Sequence, residues 1–184
     1  MKILSFLNYL LLIAVITIIM GVIYATVQQS YRTGANDPQI QIAEDICAKI
    51  QQGKSVENIF QTDAIDISNS LSPFVVFYDA SGKPLRSTGY LNGRMAQLPA
   101  GVFNVAKSNG QDRVTWQPQD GVRMAMVLIH INSSPIEFVA VGRSLTEVEI
   151  RESNLIKMIF VGWILCLVIV LLWMGIGYYK KSKL

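Results

Sequence analysis

The stretch Glu137-Phe-Val-Ala-Val-Gly-Arg-Ser-Leu-Thr-Glu-Val-Glu149 decides the fold, because it joins a predicted strand to a long predicted helix. Its β-branched and aromatic residues are typical of a strand, and we expect that strand to turn at Gly142-Arg143. Ser144, with Glu147 three residues later, has the spacing of a capping box at a helix start. No proline follows before the C-terminus. One unbroken helix is therefore expected to run onward from the strand.

That helix contains an uncharged run from Met158 to Tyr179, and about 20 apolar residues are enough to cross a bilayer. A second uncharged run extends from Ile3 to Gln29. A cleavable signal peptide is the alternative for this second run. However, its apolar part is longer than the roughly 7–15 residues of a signal-peptide core, and no A-x-A pattern closes it. The sequence therefore favours an uncleaved anchor and two membrane spans.

Basic residues at both ends of the chain predict its orientation. Lys2 precedes the first span, and Lys180, Lys181 and Lys183 follow the second. The positive-inside rule then puts both termini in the cytoplasm. We predict a two-pass protein of the cell (inner) membrane, with spans at 1–29 and 156–179, an extracytoplasmic domain at 30–155, and a cytoplasmic basic tail at 180–184.

The distribution of charge along the chain limits the kinds of partner that we expect. All thirteen acidic residues fall between the spans and roughly offset the basic residues there, so the net charge of +3 arises at the chain ends. We therefore expect no nucleic-acid partner.

Cys47 lies in the outer segment and Cys166 in the second span, so the two are not expected to pair. Cys47 is interpreted as a small buried residue, with an intermolecular disulfide as the alternative.

The sequence contains no pattern typical of an enzyme. One histidine and two distant cysteines offer no metal-ligand spacing, and nucleophile elbows, phosphate loops and dinucleotide motifs are missing. We predict no enzymatic activity, no cofactor and no metal. His130, near the end of an apolar strand, is interpreted as a packed strand-end residue, with a pH-sensing or ligand-contact role as the alternative.

The outer segment alternates helical and strand patterns. Asp37-Pro38 predicts a helix start with Asp37 as N-cap, a shorter helix follows Ser55, and a third begins at Pro99. Predicted strands lie at 74–78, 83–88, 113–117, 122–131 and 136–141. This pattern predicts an α+β fold with one antiparallel sheet of about five strands flanked by helices. Both faces of the strand at 122–131 are largely apolar, so both must be covered.

Four segments carry a resemblance to a known family: Ala-Asn-Asp-Pro-Gln at 35–39, Phe-Tyr-Asp-Ala-Ser-Gly-Lys-Pro-Leu at 77–85, Gly-Val-Arg-Met-Ala at 121–125, and Val-Gly-Arg-Ser-Leu-Thr-Glu-Val-Glu at 141–149. The chain resembles the PAS-like extracytoplasmic sensor domains (Cache, or PDC, domains) of bacterial histidine kinases and related receptors. The resemblance implies a PAS-like sheet inserted between two transmembrane helices. Only five residues follow the second predicted span, so the cytoplasmic output module is expected on a separate partner.

The same resemblance implies a small-ligand site between the sheet and the loops beside the first hairpin. The candidate ligand-binding residues are Tyr78, Arg86, Tyr90, Trp116 and Arg123. An arginine can bind a carboxylate through two parallel hydrogen bonds, and aromatic side chains commonly form pocket walls. The alternative is that the arginines are solvated on an edge strand and the aromatic residues lie in the core.

Two functions fit these expectations. The first is a membrane-anchored sensory module that binds a small molecule outside and signals through its transmembrane helices to a separate cytoplasmic partner, as in two-component signal transduction. The alternative is a non-sensing accessory or scaffold protein that associates with another membrane protein. The expected partners are the membrane, a small organic ligand, a cytoplasmic or membrane signalling protein, and a second copy of the chain in a homodimer.

Overall fold

The computed structural model describes residues 2–61 and 64–182. The chain divides into two compact units, one formed by Arg32–Glu149 and the other by Met1–Tyr31 with Ile150–Leu184. We call the first the globular unit and the second the helical unit. The predicted extracytoplasmic domain, 30–155, encloses the globular unit.

The described residues form four α-helices, one short 3₁₀ helix at Glu57–Gln61, and eight strands. The helices are α1 (Lys2–Gly34), α2 (Asp37–Gln51), α3 (Ala100–Asn109) and α4 (Thr146–Ser182). The strands are β1 (Ile65–Asp66), β2 (Phe74–Tyr78), β3 (Pro84–Ser87), β4 (Gly89–Leu91), β5 (Arg94–Met95), β6 (Gln111–Gln119), β7 (Val122–His130) and β8 (Phe138–Ser144).

Five of these strands form one antiparallel sheet in the order β3-β2-β8-β7-β6. The last strand, β8, is central, and it separates the β2–β3 hairpin from the β6–β7 hairpin. Ala140 of β8 lies opposite Val76 on one side and Leu128 on the other. The predicted α+β class, with a five-stranded antiparallel sheet and flanking helices, is confirmed.

Both faces of this sheet are covered, as the apolar pattern of β7 requires. Helix α2 packs its buried face, which includes Ala43, Ile46 and Cys47, against one side of β2, β7 and β8. Burial raises the pKa of the Cys47 thiol to about 12, with the nearby Glu44 adding to the effect. Helix α3 covers the opposite side with Phe103 and Ala106. The helix pattern predicted from Asp37 onward is therefore confirmed, although the N-cap is Asn36, one residue earlier.

A second, smaller sheet is formed by three short strands that lie outside the predicted strands. Strand β4 pairs in parallel with β1 and antiparallel with β5. The segment at 62–72, whose Asp, Ser and Asn content predicts a loop, contains β1, and its residues Thr62 and Asp63 lie outside the described residues. Ile67, next to β1, is fully buried. Its side chain packs so closely on Gly89 that a Cβ atom on Gly89 would overlap the Ile67 side chain.

The junction between β8 and α4 differs from the prediction. The predicted turn at Gly142-Arg143 is wrong, because both residues continue β8 and pair with β7. Gly142 lies opposite Phe74 and Met126, and a Cβ on Gly142 would overlap both side chains. The strand therefore ends at Ser144, whose Oγ accepts a hydrogen bond from the Thr146 N–H at 3.2 Å.

Two helices, α1 and α4, contain windows long and apolar enough to cross a membrane, and these windows are almost entirely unburied. Within the helical unit, Trp163 Nε1 donates a hydrogen bond to Thr17 Oγ1 at 3.0 Å. Met20 lies next to Gly162, and the Tyr9 hydroxyl lies next to Gly177. Because partners that come later in α1 come earlier in α4, the two helices are antiparallel.

Candidate ligand site

A concavity on the globular unit lies between the β4–β5 hairpin and the edge strand β6. The hairpin turns at Asn92-Gly93, and both residues have positive φ, 51° and 73°. Asn-Gly is the preferred pair for such a two-residue hairpin turn, because both positions need a left-handed backbone. The dipeptide is therefore the sequence signal that identifies this hairpin.

The concavity has a volume of about 390 Å³ and mixes apolar, amide and cationic side chains. It is lined by Leu91, Asn92, Arg94, Met95, Ala96, Gln97 and Trp116. Trp116 is half-buried on β6, where it packs against the core of the sheet. Arg94 is the only charged residue among the seven. The site therefore presents one positive charge beside an aromatic and aliphatic wall.

Three hydrogen bonds fix the hairpin and the segment after it. Tyr78 is fully buried, and its hydroxyl donates to the Ala96 carbonyl at 2.7 Å. Gln97 Nε2 donates to the Gly82 carbonyl at 2.9 Å. Asn92 Nδ2 donates to Gln119 Oε1 at 3.2 Å and so links the hairpin to β6. The concavity is thus attached to β2, to the turn after β2, and to β6.

The buried phenol of Tyr78 is suited to this structural role. Burial raises its pKa well above the ordinary value near 10, because the charged phenolate is disfavoured in an apolar environment. The hydroxyl therefore stays protonated and donates to Ala96. Tyr78, a candidate ligand residue from the sequence, lies beneath the concavity and supports it through this bond.

Arg86 lies elsewhere, on the edge strand β3. Its Nη1 forms an ion pair with the Glu57 carboxylate, and its guanidinium carbon lies 4.2 Å from the centre of the Phe60 ring. Phe60 in turn contacts Phe77 edge to face, with ring centres 4.9 Å apart. Arg86 thus attaches the 3₁₀ helix to the sheet.

Arg123 and Tyr90 do not line the concavity either. Arg123 Nη1 lies 2.5 Å from Glu149 Oε1 in the first turns of α4. Tyr90 is half-buried in β4, where it pairs with Asp66 and Met95. Of the five candidates, only Trp116 lines the concavity. The structure does not bring the five together in one site.

His130 belongs to a separate polar cluster at the other end of β7. Its Nε2 lies 3.4 Å from Glu137 Oε1, and Lys107 Nζ lies 3.3 Å from the same oxygen. Partial burial raises the pKa of Glu137, but hydrogen bonds and positive charge from His130 and Lys107 outweigh it, so the pKa falls below its ordinary value of 4.5. Among the described residues, no three side chains that could ligate a metal lie together.

The chain matches neither the models of known protein families nor the curated protein sequences. The resemblance to PAS-like sensor domains therefore stays a prediction from the sequence segments.

Proposed function

We propose that this protein is a membrane-anchored extracytoplasmic sensory module of PAS-like type. A small organic molecule binds in the concavity beside Trp116, and the bound state is transmitted through the transmembrane helices to a separate cytoplasmic or membrane signalling partner. Both termini lie in the cytoplasm, the globular unit lies outside, and α1 and α4 are the two spans. The protein acts as a homodimer and has no catalytic activity of its own.

One observation carries this proposal: a row of cross-strand partners leads from the concavity to the start of α4. Trp116 of β6 lies opposite Met124 of β7, and Met124 lies opposite Ser144, the last residue of β8. Directly opposed residues in antiparallel strands place their side chains on the same face, close enough to interact. A ligand that shifts Trp116 therefore acts on a buried residue, Met124, that adjoins the helix start.

The start of α4 is held to the sheet by more than its covalent link to β8. The Leu145 N–H donates to the Arg123 carbonyl at 2.9 Å, and the Arg123 side chain pairs with Glu149. Strand β7 therefore contacts the first turns of α4 through both its backbone and a side chain. Movement of β7 would consequently be transmitted to the helix.

The membrane assignment rests on α1 and α4. Their apolar windows are exposed to a degree that a core helix of a soluble protein would not show, and burying such surface in lipid is favourable. The same exposed surfaces favour a second function. A scaffold protein would use them to pack against another membrane protein, without any ligand in the globular unit.

A ligand screen tests the sensory proposal. The full chain in lipid nanodiscs is heated with organic acids, amino acids and amines, and the unfolding temperature of the globular unit is recorded. A ligand at a hundred times its dissociation constant adds about 2.7 kcal/mol of stability, so a clear rise is expected. Trp116→Ala should reduce the rise. If no compound raises the unfolding temperature, the scaffold function is favoured.

A second experiment separates sensing from anchoring. Ile150→Pro introduces a proline inside α4, which removes a backbone hydrogen bond and costs about 3 kcal/mol locally. Ile150→Ala is the matched control, because alanine is compatible with a helix. Ligand-dependent output of the partner should be lost in Ile150→Pro and kept in Ile150→Ala. Output that survives the proline would contradict transmission through α4.

A further inference from the structure

The arginines of the globular unit differ in what surrounds them, and this difference indicates the ligand class. Arg86 pairs with Glu57, and Arg123 pairs with Glu149. Arg143 Nε donates to the Leu71 carbonyl at 3.1 Å. Each of these guanidinium groups already has an oxygen acceptor within the chain, so an incoming anion would have to displace it.

Arg94 is different. Among the described residues, no hydrogen bond or ion pair involves its side chain. It is exposed on β5 and lines the concavity. A guanidinium group presents its N–H donors in a planar fork that matches the two oxygens of a carboxylate. The free cation of the concavity therefore has the geometry to bind an organic acid.

The other residues that line the concavity determine which chemical groups the rest of the ligand can carry. Leu91, Met95 and Ala96 are apolar, and Trp116 offers an indole ring against which an aromatic or aliphatic group can pack. None of the seven lining residues is acidic. An ammonium group in this concavity would lose water without gaining a carboxylate partner, so amines and zwitterionic amino acids are disfavoured.

We propose that the concavity binds an organic monocarboxylate with an apolar or aromatic body, its carboxylate on Arg94 and its body against Trp116. This inference rests on the proposed sensory function and narrows its ligand class. It assigns the anion contact to Arg94, whereas the sequence alone points to Arg86 and Arg123.

Benzoate and benzamide are the matched probes, because they share a phenyl ring, but benzoate carries a charged carboxylate where benzamide carries a neutral amide. Binding of each to the full chain in nanodiscs is measured by saturation-transfer NMR, with empty nanodiscs subtracted. Benzoate should bind about tenfold more tightly than benzamide, the difference expected for a charge-assisted hydrogen bond. Arg94→Gln should weaken benzoate to the level of benzamide and leave benzamide unchanged.

Arg113→Gln is the matched control, since it removes one positive charge from the exposed edge strand β6 without touching the concavity. It should leave both affinities within about twofold of wild type, as expected for a solvent-screened charge. Equal binding of the two probes, an unchanged benzoate affinity in Arg94→Gln, or an equal loss in Arg113→Gln would overturn the inference.

The outcomes also separate this inference from the proposed function. If an amine or amino acid raises the unfolding temperature while benzoate does not bind, the sensory function stands and the monocarboxylate assignment is wrong. If benzoate binds through Arg94 but Ile150→Pro leaves the partner's output intact, the ligand class is correct and the signalling function is wrong.

Discussion

The guanidinium group of Arg123 lies 2.5 Å from the carboxylate of Glu149, measured from Nη1 to Oε1, although the two residues are 26 positions apart. This ion pair joins the beginning of β7 to the first turns of α4. It supplies Arg123 with the carboxylate that a ligand would otherwise provide. Arg123 is therefore better placed to hold α4 against the sheet than to bind a ligand.

The Arg123–Glu149 ion pair leads to two predictions, one for folding stability and one for ligand binding. Both side chains are almost half exposed, so the pair should contribute only about 0.2–1 kcal/mol to stability, measured by a double-mutant cycle with Arg123→Ala and Glu149→Ala. Arg123→Ala should also keep any ligand-induced rise in unfolding temperature. Complete loss of that rise in a folded variant would restore Arg123 as a ligand contact.

We predict that the stability of the fold is sensitive to any added side-chain volume at Gly142, in the centre of the sheet. A methyl group at this position would overlap Met126 Sδ and the Phe74 ring, and overpacking of this kind typically costs about 1–3 kcal/mol. Gly142→Ala should lower the unfolding temperature of the full chain. Gly101→Ala in α3 is the control, because a Cβ there meets no atom within 4 Å; it should leave stability unchanged or raise it slightly. Equal behaviour of the two variants would contradict this packing.

How much of the globular unit is predictable from sequence depends on how local each signal is. The apolar face of α2, with Ala43 and Ile46, follows a helical repeat within 15 residues, and β2 is one continuous apolar run. The hairpin β4–β5 has strands of three and two residues, too short to show any periodicity. Only its Asn92-Gly93 turn provides a signal.

The candidate site is less predictable from the sequence, because its chemistry depends on which charged side chains form ion pairs with each other. Arg86, Arg94 and Arg123 are equivalent as residue types. Arg86 and Arg123 differ from Arg94 in pairing with Glu57 and Glu149, which lie 29 and 26 positions away from them in the chain. Pairings of this kind depend on the tertiary arrangement of strands and helices. No local pattern contains them.

The helical unit offers a test of its own packing. Trp163 donates to Thr17 Oγ1, and Thr17 Oγ1 donates to the Ile13 carbonyl at 2.9 Å. Hydrogen bonds between helices in a bilayer average about 0.6 kcal/mol and reach about 1.7 kcal/mol. A double-mutant cycle of Thr17→Val and Trp163→Phe, measured by unfolding in bicelles, should give a coupling energy in this range.

Trp173→Phe is the matched control for the helix pair, since Trp173 is 70% exposed. Paired with Thr17→Val, it should give no coupling energy. A coupling as large as that between Thr17 and Trp163 would mean that the cycle does not report this hydrogen bond.

The Glu137 cluster predicts a specific dependence of stability on pH. Because the folded-state pKa of Glu137 is lowered from 4.5, its contribution is present above the unfolded-state pKa. That contribution is lost as the pH falls through the lower, folded-state value. Glu137→Gln should therefore flatten the fall in unfolding temperature as the pH drops below 4.5, whereas Glu44→Gln controls for the loss of one acidic residue. An acid limb identical to wild type in Glu137→Gln would contradict the stabilising role of His130 and Lys107.

The placement of the globular unit outside the cytoplasm, between two spans, is the claim on which the sensory account depends most. A reporter enzyme that is active only outside the cytoplasm tests it directly, fused in separate proteins after Ser81 in the exposed β2–β3 turn and after Leu184. We predict activity for the fusion after Ser81 and none for the fusion after Leu184. Activity at Leu184, or none at Ser81, would contradict the two-span arrangement and the sensory function with it.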